Sequence, residues 1–293
     1  MLYPKQPSEH VATGSLLNNQ GKSKTVMNIK RSNVYFLSNS PQESGDSYEY
    51  TFGEQDFEKL DDEVYPSKQL MQYGESAKAH RASGRRDVEF MSNLLEKHAW
   101  SGGDVLDYGC SNGRMTRWLR TFLPNTDEIF GLDIDCRRVF WALRYLSNTA
   151  TYLPCNTSYH LPFMDDKFSL VMFYSIFTHM DETAFAWLHE LRRVTKVGGI
   201  ALVTLHDHDA VKRLLEILPD ESSLKKGVLN KVKEFTATKN DLSFFRNDSG
   251  TVLQTFMSKE IFIKCCAPGF EVVEVAPNTM GGFQSLYVLR RVR

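Results

Sequence analysis

The sequence predicts an α/β fold, a doubly wound and mostly parallel seven-stranded sheet that ends in a C-terminal antiparallel hairpin. Three observations predict it. From residue 104 onward, short apolar runs alternate with amphipathic ones, the mark of repeated β-α units. The first apolar run, DVLDYG, enters a glycine-rich turn, Gly109-Cys110-Ser111-Asn112-Gly113, and helical spacing follows. The last two runs, FEVVEVAP and FQSLYVLRR, are joined only by NTMGG, which suits an antiparallel return.

Taken in order, residues 1–66 form an N-terminal extension rich in Ser, Asn, Gln and acidic groups. SNSPQESGDS at 38–47 reads as loop or disorder, since little there offsets ordering entropy. EQDFEKLDDEVYP is expected to hold one short helix ending before Pro66. The main domain is expected over 67–293. It starts with a helix carrying Val88, Met91, Leu94 and Leu95 at helical spacing, ended by Gly102-Gly103. DVLDYG is the first strand, and GRMTRWLRTFL a helix stopped by Pro124. EIFGLDI is the second strand, followed by a helix with a stripe of Val139, Phe140, Leu143 and Leu146. ATYLPC is the third strand. KFSLVMFYS is the fourth, apolar on both faces as a central parallel strand must be. TAFAWLHELRRVT is amphipathic, with Trp187 and Leu188 in the core and Gly198-Gly199 as its C-terminal stop. IALVTLH is the fifth strand. A charged, mixed insertion over about 210–258 interrupts the pattern and is expected to cap the substrate pocket. KEIFIKCCA then reads equally as helix or strand.

Bulk composition narrows the partners. Lys and Arg number 35 against 36 Asp and Glu, so nothing global draws the chain to nucleic acid or an anionic membrane. The most apolar run, LVMFYSIF, is far too short to span a bilayer, and the first thirty residues lack a signal-peptide core. Cysteines 110, 136, 155, 265 and 266 are odd in number and contain no C-x-x-C, which points away from a disulfide framework or zinc site. A soluble, cytoplasmic protein is expected.

The glycine turn sits where doubly wound sheets bind ligands, beyond the carboxyl end of the first strand. Gly109 permits a tight or left-handed backbone, and Gly113 lets the helix start come close to strand and ligand. Twenty residues past Gly113, Asp133 ends the second strand, where a carboxylate accepts hydrogen bonds from both hydroxyls of a ribose. A dinucleotide fingerprint would need a second glycine inside the turn, and a P-loop a lysine after it; neither is present. Asp107, just before the turn, would repel phosphate and suit an ammonium. A ribose, an adenine and an ammonium without phosphate describe S-adenosylmethionine.

Here the chain resembles class I S-adenosylmethionine-dependent methyltransferases over roughly 104–205. VLDYGCSNGRMTRWL is similar to their first motif, with Ser111 at the middle glycine, and FGLDID to their second. LPFMDDKFSLVMFYSIFTHMDE and WLHELRRVTKVGGIALVTLHD resemble the stretches around the fourth and fifth strands, with Ser169 and Val197 as departures. The resemblance implies that Asp107, Tyr108, Gly109, Ser111 and Gly113 bind the methionine end and turn of the cofactor. It implies Asp133 and Ile134 at the ribose and adenine, with Asn156 or Thr157 beside the adenine. Tyr174 to Phe177 would close over the methyl, and His206 would meet the substrate. The implied acceptor is a small molecule, lipid or carbohydrate, methylated on oxygen or nitrogen, with no metal required.

Other readings stay open on the residues alone. Gly109-Cys110-Ser111-Asn112-Gly113 also spells a nucleophile elbow, in which Ser111 would be a hydrolase nucleophile. The fold could equally serve a non-catalytic module that binds the cofactor. His179 and His206 are candidate general bases, the alternative being histidines that orient loops. HDHD at 206–209 is either a metal-binding strand end or a solvated loop. Cys110 is expected to pack, and Tyr73 and Arg81 either lid the cofactor or belong to a surface helix.

Overall fold

The computed structural model describes residues 13–17, 23–28, 43–44, 47–51, 56–71, 76–156, 159–231, 242–246, 252–266 and 268–293. Near the N-terminus, β1 (Thr13–Leu17), β2 (Ser23–Asn28), β3 (Glu43–Ser44) and β4 (Ser47–Thr51) pair antiparallel in the order β1-β2-β4-β3. β3 and the first residue of β4 fall within the stretch read as loop; the rest of 38–47 lies outside the described residues. Tyr and Thr in β4 are strand-favouring residues, a preference that a judgement on polarity alone overlooks.

The helix expected before Pro66 is instead a hairpin, β5 (Phe57–Leu60) with β6 (Glu63–Pro66). Its two-residue turn begins at Asp61 with φ of 55°, a conformation that Asp tolerates and that matches strand twist. α1 (Ala77–Lys97) starts at Ser76, whose hydroxyl accepts from the Ala79 amide, and buries Val88, Met91, Leu94 and Leu95 as the spacing predicts. β7 (Gly103–Tyr108) follows. The helix expected at 113–123 is only partly present: turns and a 3-10 segment precede the short α2 (Leu119–Phe122). β8 (Thr126–Asp133), α3 (Cys136–Tyr145), β9 (Thr151–Pro154), β10 (Phe168–Phe173) and α4 (Ala184–Val194) then alternate as expected.

β11 (Thr195–Leu205) begins earlier than the sequence suggests. Gly198-Gly199 is not a helix stop; it sits in a register shift between Phe168↔Thr195 and Leu170↔Ile200. A side chain on Gly199 would meet the Ser169 carbonyl oxygen at 3.0 Å, so the irregular strand needs glycine there. α5 (His208–Ile217), α6 (Ser223–Lys231) and the hairpin β12 (Leu242–Arg246) with β13 (Leu253–Met257) make up the described part of 210–258. They share an apolar cluster of Val211, Leu214, Val228, Phe245 and Phe256. The stretch left open between helix and strand is helical, α7 (Lys259–Cys266), and β14 (Phe270–Met280) and β15 (Gln284–Arg291) form the terminal hairpin.

The main sheet has seven strands in the order β14-β15-β11-β10-β7-β8-β9. Pairs β7–β10, β10–β11 and β8–β9 are parallel, whereas β11–β15 and β14–β15 are antiparallel. The expected parallel sheet with an antiparallel terminal hairpin is the observed one. The chain divides into two compact units, 1–102 with 109–158, and 103–108 with 159–293. In the first, Phe140, Trp141, Tyr152 and Cys110 pack in one core, where Cys110 is buried as expected. In the second, Leu170–Phe173, Ile200–Val203 and Leu286–Leu289 are fully buried on the adjoining strands β10, β11 and β15. No described helix is long and apolar enough to cross a membrane.

Candidate active site

Within the first unit the glycine turn is built around one carboxylate. Ser111 takes φ of 55° between Gly109 (φ 81°) and Gly113 (φ 78°), so the backbone curls through three left-handed residues. This curl aims the Ser111 amide at Asp133, which accepts it through Oδ2 at 2.7 Å. Asp133 Oδ1 accepts the Asp135 amide at 2.8 Å. The carboxylate is 8 % exposed. Burial raises its pKa, and the hydrogen bonds from Asp135 and Ser111 oppose that rise. Each oxygen keeps a lone pair beyond the backbone bond it accepts.

Two side chains of the turn carry buried polar atoms without a described partner, Ser111 Oγ and Asn112 Oδ1. Such atoms are expensive unless something polar meets them, which is the signature of a ligand cradle. Gly113 serves the core: a side chain there would lie 2.7 Å from the Tyr152 hydroxyl and 2.8 Å from Leu146. Ile134 is half-buried between Asp133 and Asp135, whose carboxylate caps α3 through the Arg137 amide. Asn156 is half-buried after β9, and Thr157 lies outside the described residues.

Contacts that no local pattern announces hold the turn from outside. Asn112 Nδ2 donates to the Leu70 carbonyl at 2.8 Å. Arg114 and Asp87 form a buried ion pair at 2.7 Å, where α1 comes so close that a side chain on Gly84 would meet the Arg114 carbonyl at 2.2 Å. Arg117 lies 4.2 Å over the Tyr65 ring and donates to the Val64 carbonyl. Arg81 is committed to Asp61 in the β5–β6 turn, and Tyr73 is outside the described residues.

The second unit holds the remaining candidates. Asp107 is buried at the end of β7. The Tyr108 ring is packed into the core, stacked 4.6 Å from Phe173 and tilted 4.7 Å from Trp187, so it is the Tyr108 backbone that leads into the turn. Tyr174 is buried just past β10. Ser175 follows with φ of 55°, held by the Thr204 hydroxyl, which accepts its amide, and by Gln284, which accepts its own hydroxyl. A left-handed, fully bonded non-glycine residue at a strand end is a form of strain that marks functional turns.

The two histidines share one support. His179 Nδ1 lies 2.7 Å from the Leu253 carbonyl, and His206 Nδ1 lies 3.2 Å from that of Thr255. A carbonyl oxygen only accepts, so in both rings Nδ1 carries the proton. His206 is 2 % exposed and stacked between Phe256 (5.2 Å) and Phe283 (5.5 Å), and burial lowers its pKa to about 3. Its Nε2 is buried with no described partner. His179 is exposed as a residue, while desolvation of its ring lowers its pKa. The HDHD segment is neither a solvated loop nor a convergent ligand set. Asp207 is buried as the cap of α5, accepting from the Ala210 amide, Ser285 hydroxyl and Tyr287 hydroxyl. Among the described residues no three His, Cys, Asp or Glu side chains are grouped as a metal would require.

Comparison with known proteins bears directly on this arrangement. The family described as methyltransferase domain matches residues 105–199, from β7 through the glycine turn and Asp133 to the start of β11. That stretch of the chain is therefore similar to a methyltransferase domain. Among solved structures, a protein of Pyrococcus horikoshii OT3 superposes on this chain with a TM-score of 0.51 at 20 % identity, covering 71 % of this chain and 90 % of its own. A SAM-dependent methyltransferase of Methanosarcina mazei does so with a TM-score of 0.50 at 14 % identity, covering 68 % and 98 %. Both likenesses are of fold. The elbow reading of Ser111 finds no support in the geometry of the turn. The Ser111 hydroxyl has no described hydrogen-bond partner, hence no base to activate it.

Proposed function

We propose that this protein is a working methyltransferase that moves a methyl group from S-adenosylmethionine to oxygen or nitrogen of a small-molecule, lipid or carbohydrate acceptor. The observation that carries the reading is the left-handed turn latched to Asp133 through the Ser111 amide. Pyrophosphate binding needs free backbone amides in such a turn, and here one is already spent on a carboxylate. The same carboxylate retains lone pairs suited to ribose hydroxyls. Ser111 Oγ and Asn112 Oδ1, buried without described partners, fit a polar ligand at the turn.

In this reading Asp107 offers its carboxylate to the cofactor's ammonium, with Gly109, Ser111 and Gly113 shaping the turn. Ile134 gives apolar contact, and Asn156 or Thr157 reads the adenine edge. Tyr108 contributes main chain, and Tyr174 walls the methyl. The bound cofactor supplies an electrophilic methyl whose bonding electrons stay on sulfur as an acceptor lone pair takes it. The protein's task is alignment and exclusion of water; well-oriented groups reach effective molarities on the order of 10⁵ M or more. His179 and His206 are the groups able to take the acceptor's proton, each through Nε2. Five cysteines, none of them in a disulfide, fit a reducing, cytoplasmic setting.

Calorimetry with S-adenosylmethionine and S-adenosylhomocysteine tests the cofactor half. A radiolabelled methyl followed into a cell extract tests turnover. Tight binding without any transfer would turn the conclusion to the non-catalytic module.

A further inference from the structure

Building on the reading of this protein as a transferase, we propose that its methyl acceptor is an uncharged hydroxyl compound, anchored by His206 Nε2 and deprotonated by His179 Nε2. The first observation is the state of the two rings. Both donate Nδ1–H to carbonyls of a single strand, Leu253 and Thr255 of β13, so both offer bare Nε2 lone pairs. β13 is itself fixed: the Met257 amide donates to the His206 carbonyl at 3.1 Å, and the Thr255 hydroxyl donates to the Met180 carbonyl. Neither ring can turn over to present Nδ1 without breaking its bond to that strand.

The second observation is electrical. Beyond burial, the influences on the two rings are those carbonyls and, for His206, His179 itself; among the described residues no carboxylate or cation bears on either. A carboxylate acceptor would bring lone pairs against lone pairs with no cation to offset them. An ammonium acceptor would lack an anion. A neutral O–H donor meets a bare Nε2 favourably, and the aromatic faces of Phe256 and Phe283 on either side of His206 provide an apolar setting.

The third observation divides the labour. His206 is enclosed and has a buried lone pair without a described partner, so it is suited to hold a hydrogen bond and unsuited to carry a charge. His179 is exposed as a residue, so a proton taken there can pass to solvent. The balance is simple: the acceptor oxygen gains the O–CH₃ bond, the sulfur keeps the electrons of the bond that breaks, and the hydroxyl proton passes to His179 Nε2.

The test uses the full-length protein, S-adenosylmethionine bearing tritium in its methyl group, and a small-molecule extract of the cells that make it. Label that survives mild alkali and leaves as methyl iodide in hot hydriodic acid is an ether, the expected result. Label released by alkali as methanol marks a methyl ester and overturns the proposal, as does label that resists hydriodic acid and so sits on nitrogen. His206→Phe keeps the stack and removes the acceptor; transfer should fall at least about tenfold with S-adenosylhomocysteine affinity unchanged. Unchanged transfer in that variant overturns the anchoring role. His179→Ala should lower transfer by about 100-fold or more, and a smaller loss overturns its role as base. No transfer by the wild-type protein that binds S-adenosylhomocysteine defeats the enzymatic reading, and this inference with it.

Discussion

The Ser111 amide donates to the Asp133 carboxylate at 2.7 Å, and this bond joins the turn after one strand to the end of the next. It makes Asp133 two things together: the acceptor that keeps a left-handed backbone in place and a carboxylate with lone pairs left for a ligand. Asp133→Ala is therefore expected to weaken S-adenosylmethionine binding about tenfold or more and to lower stability by about 1–3 kcal/mol, because two buried amides lose their acceptor. Calorimetry and urea titration on the same variant check both halves. Full affinity in Asp133→Ala would contradict the ribose role.

Ser111 illustrates a residue whose backbone matters more than its side chain. Ser111→Ala should retain most transfer, since its hydroxyl activates nothing. Ser111→Gly relieves a left-handed non-glycine and should change stability by less than about 1 kcal/mol, strain relief being offset by a looser unfolded chain. Abolished turnover in Ser111→Ala with the cofactor still bound would restore the nucleophile reading.

Arg114 and Asp87 are both buried, and they tie the residue after Gly113 to α1. Asp87→Leu leaves the guanidinium without this counter-charge and is expected to cost about 3–5 kcal/mol, whereas Arg114→Met with Asp87→Leu should cost less than Asp87→Leu or Arg114→Met alone. Denaturation midpoints of the four proteins decide it; additive losses would show that the pair is not coupled.

His206 gives a pH signature. Its folded pKa is lowered to about 3 from the ordinary 6.5, so between those values the unfolded chain binds a proton that the folded chain refuses. Stability from this ring is complete above pH 6.5 and declines as pH falls, with a slope of up to about 1.4 kcal/mol per pH unit. His206→Phe should flatten the urea-denaturation profile between pH 7 and 5; parallel profiles for the two proteins would mean the ring is protonated when folded.

How much of this was legible in the sequence follows from the range of each interaction. The strands near 104–109, 128–134 and 167–175, the C-terminal half of β11 and the stripe on α1 are local periodicities, legible along the chain. So is the glycine turn with its acidic residue at the next strand end, because spacing along the chain carries it. Residues 57–66 form a hairpin where the sequence suggests a helix, because the pairing of Phe57 with Pro66 is invisible to a helical window. Gly198-Gly199 escapes a local reading for a similar reason, its role being set by the neighbouring strand. Asn112 with Leu70, Arg114 with Asp87, and the two histidines with β13 join distant segments, and no single stretch announces them.

The support under the two imidazoles is main chain, and this has an evolutionary consequence. Carbonyls come with every amino acid, so positions of β12 and β13 other than Thr255 and Phe256 can change their side chains while the two imidazoles keep their hydrogen bonds. A lineage could retailor which molecules it modifies by rewriting those positions and leave the chemistry alone, provided no insertion or deletion slips the strand by one residue.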